Sequence, residues 1–291
     1  PVELGTWLSD NGYASLDLVT NIVIGGSAAV TNSTDNSIST YTGRITIARG
    51  SRFVASTPKA LGATTGDTYV ENGATLEIYW TLPNGTTLGS EHVYFSGSGT
   101  DGKGAMYSSC PATMQNIWPK YWQLLGDASV GALNWNQDIN GITRIDLSGH
   151  DLTIISHDNS YDRFGSGTTI ADAVGTGNII IINSVLFEGG LTFPGGSEHR
   201  LVFSTNGTYR TNGGFGNTAG STPWTLVMNG PGGNAGFNFG MGRNGYGGPV
   251  QLNCATKIQR QSEFASQTFL SQITGAGGFG TLNSNNNRTW L

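Results

Sequence analysis

The sequence predicts an all-β fold: a right-handed parallel β-solenoid, forming one elongated domain over residues 1–291, with an irregular insertion at about residues 100–130. Three observations favour this fold. The composition is poor in charge and rich in glycine, short alternating runs of strand length recur, and turn-plus-strand phrases are repeated along the chain. One antiparallel β-sandwich, or a pair of them, is the alternative.

The composition suits stacked strands. Only 11% of the residues are charged and 45 are glycine; an isolated charge in a stack repels its copy one rung away, whereas Asn and Thr can form hydrogen-bonded ladders. The aromatic content of 10% is not that of a disordered chain. The net charge of −5 argues against a nucleic-acid partner. No apolar stretch reaches the ~20 residues of a membrane span.

Strand-length runs are bounded by turn residues along most of the chain, and their spacing suits a sandwich, a barrel or a solenoid equally well. Two stretches depart from the rhythm. Residues 106–125 are interpreted as an insertion or long loop, and residues 259–272 are predicted to hold a short helix. The runs themselves are 19–24, 44–48, 75–80, 92–95, 142–147, 152–155, 178–187, 191–193, 199–203, 224–228 and 249–252.

Weak internal repeats favour the solenoid over the sandwich. The phrases at residues 41–47, 71–78 and 145–154 share a turn with Gly followed by an alternating strand, and residues 273–282 are similar. A single rung of a solenoid cannot bury its inward face, so its repeats must stack on one another.

These phrases resemble the autotransporter-associated β-strand repeats of large bacterial surface proteins. The family's "tGaGgL", "tYtGgTtI" and "nGatL" elements correspond to residues 273–282, 40–47 and 72–76, and residues 145–154 resemble its "iDLnGhtLti" phrase. The resemblance implies a secreted or surface-displayed passenger region, usually a right-handed parallel β-helix. It implies no catalytic residues.

The two cysteines provide a test of architecture. If a rung takes about 20–25 residues, Cys110 and Cys254 lie about six or seven rungs apart, and a disulfide needs Cα atoms within ~7 Å. A straight solenoid therefore predicts no intrachain bond, unless the insertion around Cys110 folds back along the stack. A sandwich would permit one.

Residues 157–163 hold the most chemically suggestive cluster, His157, Asp158, Asp162 and Arg163. With Asp172 and Glu188 as neighbours, such carboxylates could bind a cation or a glycan, or act on a glycoside. The alternative is an exposed polar turn. We keep Asp158 and Asp162 as candidate cation or glycan contacts and predict no catalytic residue, no metal site and no cofactor, because no His pairs with a His or Cys at a metal spacing.

Three aromatic residues lie together in the predicted insertion: Trp118, Tyr121 and Trp122. Aromatic faces are platforms for sugars or protein partners because they bury area at little entropic cost. The alternative is that these rings anchor the insertion to the core. We keep all three as candidate glycan or partner contacts.

The function predicted is that of an extracellular structural or adhesive protein of a bacterial cell surface, a self-associating filament or stalk subunit and not an enzyme. A carbohydrate-binding sandwich module and a β-helical polysaccharide-degrading enzyme are the alternatives. We expect a processed mature chain or a piece of a longer one, whose uncapped ends expose strand edges. The residues expected to build the core and the assembly contacts are Trp7, Ile179, Ile180, Ile181, Ile182, Trp290 and Leu291.

Overall fold

A computed structural model confirms the all-β, parallel β-solenoid architecture. It divides into two compact units, Pro1–Asp146 and Leu147–Leu291. The structure describes residues 2–11, 19–27, 29–32, 38–79, 88–110, 117–132, 142–156, 161–164, 167–187, 194, 198–205, 207–211, 224–230, 236–239, 243–260, 266–269 and 272–281.

The first unit contains one helix and eleven strands among its described residues. In chain order these are β1 (Val2–Glu3), α1 (Leu4–Asp10), β2 (Asn21–Ile24), β3 (Ala29–Asn32), β4 (Arg44–Ile47), β5 (Arg52–Ala55), β6 (Asp67–Val70), β7 (Thr75–Ile78), β8 (His92–Gly97), β9 (Met106–Ser108), β10 (Tyr121–Ala132) and β11 (Arg144–Asp146).

These strands form two parallel ladders, each with one strand per rung. Ladder A contains β2, β4, β6, β8, the first part of β10, and β11. Ladder B contains β1, β3, β5, β7, β9 and the last part of β10. Ile45 pairs with Ile22 on one side and with Thr68 on the other, which sets a rung of 23 residues.

Alternation along each strand builds the interior of the first unit. In β4 and β5 every second side chain is buried, because successive side chains of a strand point to opposite faces. Ile45, Ile47 and Phe53 are at most 1% exposed. Burial of each side chain of this size contributes about 1.5–3 kcal/mol to the stability of the fold. Every rung adds such side chains to the interior.

The irregularity expected at residues 100–130 takes the form of a long strand with a shifted register. The first residues of β10 pair with β8, and Val130 pairs with Met106 of β9. Between Leu124 and Ala128 the register shifts, so that β10 passes from ladder A to ladder B. Residues 111–116 lie outside the described residues.

The second unit contains fifteen described strands. They are β12 (Leu152–Ile155), β13 (Tyr161–Phe164), β14 (Thr169–Ala171), β15 (Ile179–Ile182), β16 (Ser184–Phe187), β17 (Arg200–Phe203), β18 (Thr208–Thr211), β19 (Thr225–Met228), β20 (Gly236–Phe239), β21 (Arg243–Tyr246), β22 (Val250–Leu252), β23 (Thr256–Arg260), β24 (Ser266–Phe269), β25 (Ile273–Thr274) and β26 (Phe279–Thr281).

Three parallel ladders join described strands of this unit. Ladder C joins β12, β15, β17, β19, β22 and β25. Ladder D joins β13, β16, β18, β20, β23 and β26, and β21 pairs with β24. In ladder C, Ile181 lies in register between Ile154 and Phe203, and all three are at most 1% exposed.

The helix predicted over residues 259–272 is wrong. The described part of this stretch belongs to β23 and β24, which pair with β20 and β21 of the preceding rung. The apolar spacing that suggested a helix is overridden by this tertiary pairing, since strand formation depends on the neighbouring strands more than on local preference.

The observed helix, α1, was not predicted. Leu4 and Leu8, one turn apart on the same face, are buried, and α1 contacts β1 and β3. Trp7 projects from this helix and is 47% exposed. Trp290 and Leu291 lie outside the described residues. Within the described part of the chain, no helix has the length and apolar character required to cross a bilayer.

Candidate functional site

The outward side of ladder A is the most distinctive surface of the first unit. Along each strand of ladder A, the side chains that point away from the core alternate with those that point inward. We call the outward-pointing side chains outer face A. They are Asn21, Val23, Arg44, Thr46, Asp67, Tyr69, His92, Tyr94, Tyr121, Gln123, Arg144 and Asp146.

Two aromatic stacks run along outer face A. The rings of Tyr69 and Tyr94 are parallel to within 7°, with centroids 4.6 Å apart. The guanidinium carbon of Arg44 lies 4.2 Å from the Tyr69 ring centroid. The rings of His92 and Tyr121 stack at 4.3 Å. These separations are close to the ~4.8 Å between neighbouring strands, so the rung spacing itself brings the rings into contact.

A groove of about 300 Å³ lies where the second stack ends. Arg144 follows Tyr121 in the register, but its Nη2 donates to Asp146 Oδ2 at 2.9 Å. The guanidinium is therefore held beside Asp146 of its own strand. The groove is lined by His92, Val93, Tyr94, Tyr121, Trp122, Gln123, Arg144 and Asp146.

A second, more polar concavity of about 400 Å³ lies at the earlier rungs of the same face. Its lining includes Arg44 and Asp67 but no aromatic ring; the other members are Thr20, Asn21, Thr42, Gly43 and Thr65. The aromatic groove is therefore the better candidate for a specific ligand, since ligand sites combine apolar or aromatic walls with a few polar groups.

Of the three aromatic residues proposed from the sequence, Tyr121 alone belongs to outer face A, although Trp122 also borders the groove. Trp118 and Trp122 are 2% and 1% exposed. Their rings meet edge to face at 5.7 Å, and Trp122 Nε1 donates to the carbonyl of Pro119 at 2.8 Å. The glycan or partner contact considered for these two tryptophans is corrected to the alternative, that they anchor the chain to the core, because both are buried.

The acidic cluster proposed from the sequence is only partly described. His157, Asp158 and Glu188 lie outside the described residues, and Asp162 lies on β13, whose backbone alone is described at that position. Arg163 lies on the same strand, where again only the backbone is described. Asp172 is described in full and has a structural role.

Asp172 is a buried carboxylate that joins main-chain segments of neighbouring rungs. It accepts hydrogen bonds from the N–H groups of Gly149 at 2.8 Å, Val174 at 3.1 Å and Gly177 at 2.7 Å. Burial alone would raise the pKa of Asp172, but the backbone donors outweigh it and lower the pKa. With its oxygens so engaged, Asp172 is not poised for acid–base chemistry.

A buried aromatic stack lies next to Asp172 and was missed at the sequence level. His199 Nδ1 is 2.8 Å from the carbonyl oxygen of Gly177 and 3.7 Å from Asp172 Oδ2. The His199 ring stacks on Trp224 at 4.6 Å, and the Tyr246 hydroxyl donates to the Trp224 carbonyl at 2.8 Å. His199 and Trp224 immediately precede β17 and β19, and Tyr246 ends β21. Their contacts join residues of different rungs, so they depend on the register and not on local alternation.

Two buried carboxylates in the first unit were also missed. Glu77 binds Arg52 and accepts a hydrogen bond from Ser109. Glu91 is 1% exposed, and its Oε2 has no hydrogen-bond partner among the described residues. Burial, and then the negative charge of Asp67, raise the pKa of Glu91 to about 8.

Neither cysteine forms a disulfide among the described residues. Cys110 is buried in the first unit and Cys254 is half-buried in the second. Their sulfur atoms lie 3.5 Å and 3.3 Å from the carbonyl oxygens of Ile78 and Met228.

Comparison with family models, with curated proteins and with solved structures gives no match for this chain.

Proposed function

We propose that the protein is an extracellular structural and adhesive protein of a bacterial surface, which associates with further copies through the strand edges of its end rungs. The observation that carries this proposal is the parallel register, in which each rung pairs through its main chain with the next. An edge strand of such a stack presents unpaired N–H and C=O groups that can template another strand.

Strand β25 offers such an edge in the second unit. It pairs with β22 through Ile273 and Thr274, and no other strand of the described residues pairs with it. Ile273 is 41% exposed, so an apolar side chain lies at this edge. Trp7 on α1, 47% exposed, is a candidate contact in the first unit.

The adhesive part of the proposal depends on outer face A. Aromatic and charged side chains repeat there from rung to rung, which suits contact with an extended or repetitive ligand. The sequence-level resemblance to bacterial passenger repeats and the low charge content support a surface location.

The self-association proposal is tested by multi-angle light scattering over a wide range of protein concentration, followed by negative-stain electron microscopy. We expect mass to grow with concentration. Ile273→Lys should reduce this growth because a charge on an edge strand opposes edge pairing. Val174→Lys, at a side chain 65% exposed in a turn, is the matched control and should behave like the wild type.

A monodisperse monomer at every concentration contradicts the proposal. Association that is unchanged by Ile273→Lys contradicts the assignment of the β25 edge.

A further inference from the structure

We propose that the groove of outer face A is a binding site for a neutral saccharide, with one pyranose ring seated on Tyr121. This inference rests on the proposed adhesive function and names its ligand class.

The aromatic wall of the groove is preorganised. His92 covers one face of the Tyr121 ring at 4.3 Å, and no other ring or guanidinium within the described ranges stacks on Tyr121. The stacked His92 fixes the orientation of the phenol ring, so little freedom is lost when a ligand binds. A planar ring held in this way matches the C–H face of a pyranose, which is the apolar face of a sugar.

Outer face A also contains a tyrosine ring that is covered by protein groups on both sides. Two rungs earlier, Arg44 lies over the Tyr69 ring, 4.2 Å from its centroid, and Tyr94 stacks on that ring at 4.6 Å, so Tyr69 is covered by protein groups. In the groove, Arg144 binds Asp146 instead. The Tyr121 ring therefore has no guanidinium over it, unlike the Tyr69 ring.

The polar wall provides both kinds of hydrogen-bonding group that a sugar hydroxyl needs. Arg144 is a donor only and the Asp146 carboxylate is an acceptor only, and their side chains remain 51% and 21% exposed. One hydroxyl can accept from Arg144 while it donates to Asp146. Gln123 also lines the groove.

The charges of the groove favour a neutral ligand. Arg144 and Asp146 form an ion pair at 2.9 Å, so the lining carries no excess positive charge, and the chain as a whole has a net charge of −5. An acidic glycan would need uncompensated cations, which this lining does not offer. The volume of about 300 Å³ is at the small end of ligand pockets, as expected for one or two sugar units.

The test is binding of a defined panel by glycan array and isothermal titration calorimetry. The panel contains neutral oligomers of glucose, mannose, galactose and N-acetylglucosamine, with oligogalacturonate as the acidic comparator. We expect at least one neutral oligomer to bind and oligogalacturonate not to bind. Tyr121→Ala should weaken binding about tenfold, whereas Tyr121→Phe should retain it because the ring is kept.

Arg144→Gln and Asp146→Asn should each weaken binding as well, since either change breaks the paired donor and acceptor. Tyr79→Ala is the matched control: Tyr79 is 46% exposed in the same unit but does not line the groove. Thermal melting of every variant shows whether the fold is kept, and Tyr121→Phe and Asp146→Asn remain informative if Tyr121→Ala fails to fold.

Absence of binding by every neutral oligomer overturns the inference, as does equal binding by wild type and Tyr121→Ala, or a preference for oligogalacturonate. Light scattering of the same samples separates this result from the proposed self-association, which depends on β25 and not on the groove. A protein that self-associates normally but binds no sugar contradicts the groove assignment alone.

Discussion

Asp172 Oδ1 accepts a hydrogen bond at 2.8 Å from the N–H group of Gly149, which lies 23 positions earlier in the chain. Gly149 has a positive φ of 84° in the turn before β12, and Asp172 follows β14. The bond therefore joins the turns of two successive rungs, and the same carboxylate also holds Val174 and Gly177 of its own turn.

Replacement of this carboxylate should be costly. We expect Asp172→Ala to lower the free energy of unfolding of the second unit by about 3 kcal/mol, because three backbone donors lose a charged acceptor in a buried site. Urea unfolding checks this value. Asp101→Ala is the control, since Asp101 forms an exposed pair with Lys103, and such pairs contribute about 0–1 kcal/mol.

The pH dependence of the Asp172 contribution follows from its lowered pKa. A carboxylate with a depressed folded-state pKa stabilises the fold above its unfolded pKa, near 3.8, and the contribution is lost as pH falls through the folded value. The stability difference between wild type and Asp172→Ala should therefore be constant from pH 8 to pH 5 and shrink below about pH 4. A difference that disappears already at pH 6 would contradict this assignment.

Glu91 has the opposite dependence because its pKa is raised to about 8. Between its ordinary pKa of 4.5 and pH 8, the unfolded chain releases this proton while the folded chain keeps it. Stability should therefore fall as pH rises through this range, by up to about 1.4 kcal/mol per pH unit.

The test is Glu91→Gln, which removes the ionisation. We expect the variant to match the wild type near pH 4.5 and to exceed its unfolding free energy by on the order of 4 kcal/mol at pH 9, measured by urea unfolding across the pH range. Glu71→Gln, at an exposed carboxylate that accepts from the N–H of Arg49, should show no such crossover. Parallel pH profiles for wild type and Glu91→Gln would contradict the raised pKa.

The inward and outward positions of β15 should respond differently to a charge. Ile181 is fully buried between Ile154 and Phe203, whereas Ile180 is only half-buried. We expect Ile181→Asp to cost at least about 4 kcal/mol, because an unpaired carboxylate enters an apolar stack. Ile180→Asp should cost much less. Circular dichroism melting compares them, and equal losses would contradict the assigned faces.

Close packing at Gly177 should make it intolerant of a side chain. A Cβ there would lie 2.6 Å from the His150 carbonyl oxygen and 2.9 Å from Asp172 Oδ2. We expect Gly177→Ala to lower the unfolding free energy by about 1–3 kcal/mol, as measured by urea unfolding. Gly278→Ala is the control, because a Cβ at that position meets nothing within 4 Å. A neutral Gly177→Ala would show that the two turns are further apart.

Much of the ladder architecture is predictable from local sequence. The alternating runs around Ile45, Ile154 and Ile181 identify buried strand faces, and a rung of 23 residues lies within the range assumed from the repeats. Which strands pair is not local information. The stretch at residues 259–272 was therefore predicted as helix, although its neighbours in the preceding rung make it strand.

The candidate site was less predictable for the same reason. Tyr121 and Trp122 are adjacent in sequence, and only the pleat of β10 decides which ring faces outward. The contacts of His92 with Tyr121 and of Arg44 with Tyr69 join residues in neighbouring rungs, at separations that depend on the register. The groove combines side chains of three neighbouring strands, β8, β10 and β11, and local sequence does not show that these strands are neighbours.

Distances between spin labels along ladder A test the parallel stacking of the rungs. Val23, Tyr94 and Gln123 occupy the same outward position in their strands. Val23 and Tyr94 are three strand spacings apart, and Val23 and Gln123 are four strand spacings apart. With Cys110 and Cys254 replaced by Ser, double electron–electron resonance should give backbone separations of about 14 Å for the Val23→Cys/Tyr94→Cys pair and about 19 Å for the Val23→Cys/Gln123→Cys pair. A difference of one strand spacing, ~4.8 Å, between the two distances supports the stacked parallel rungs. Two distances that do not differ by this amount would contradict the stacking.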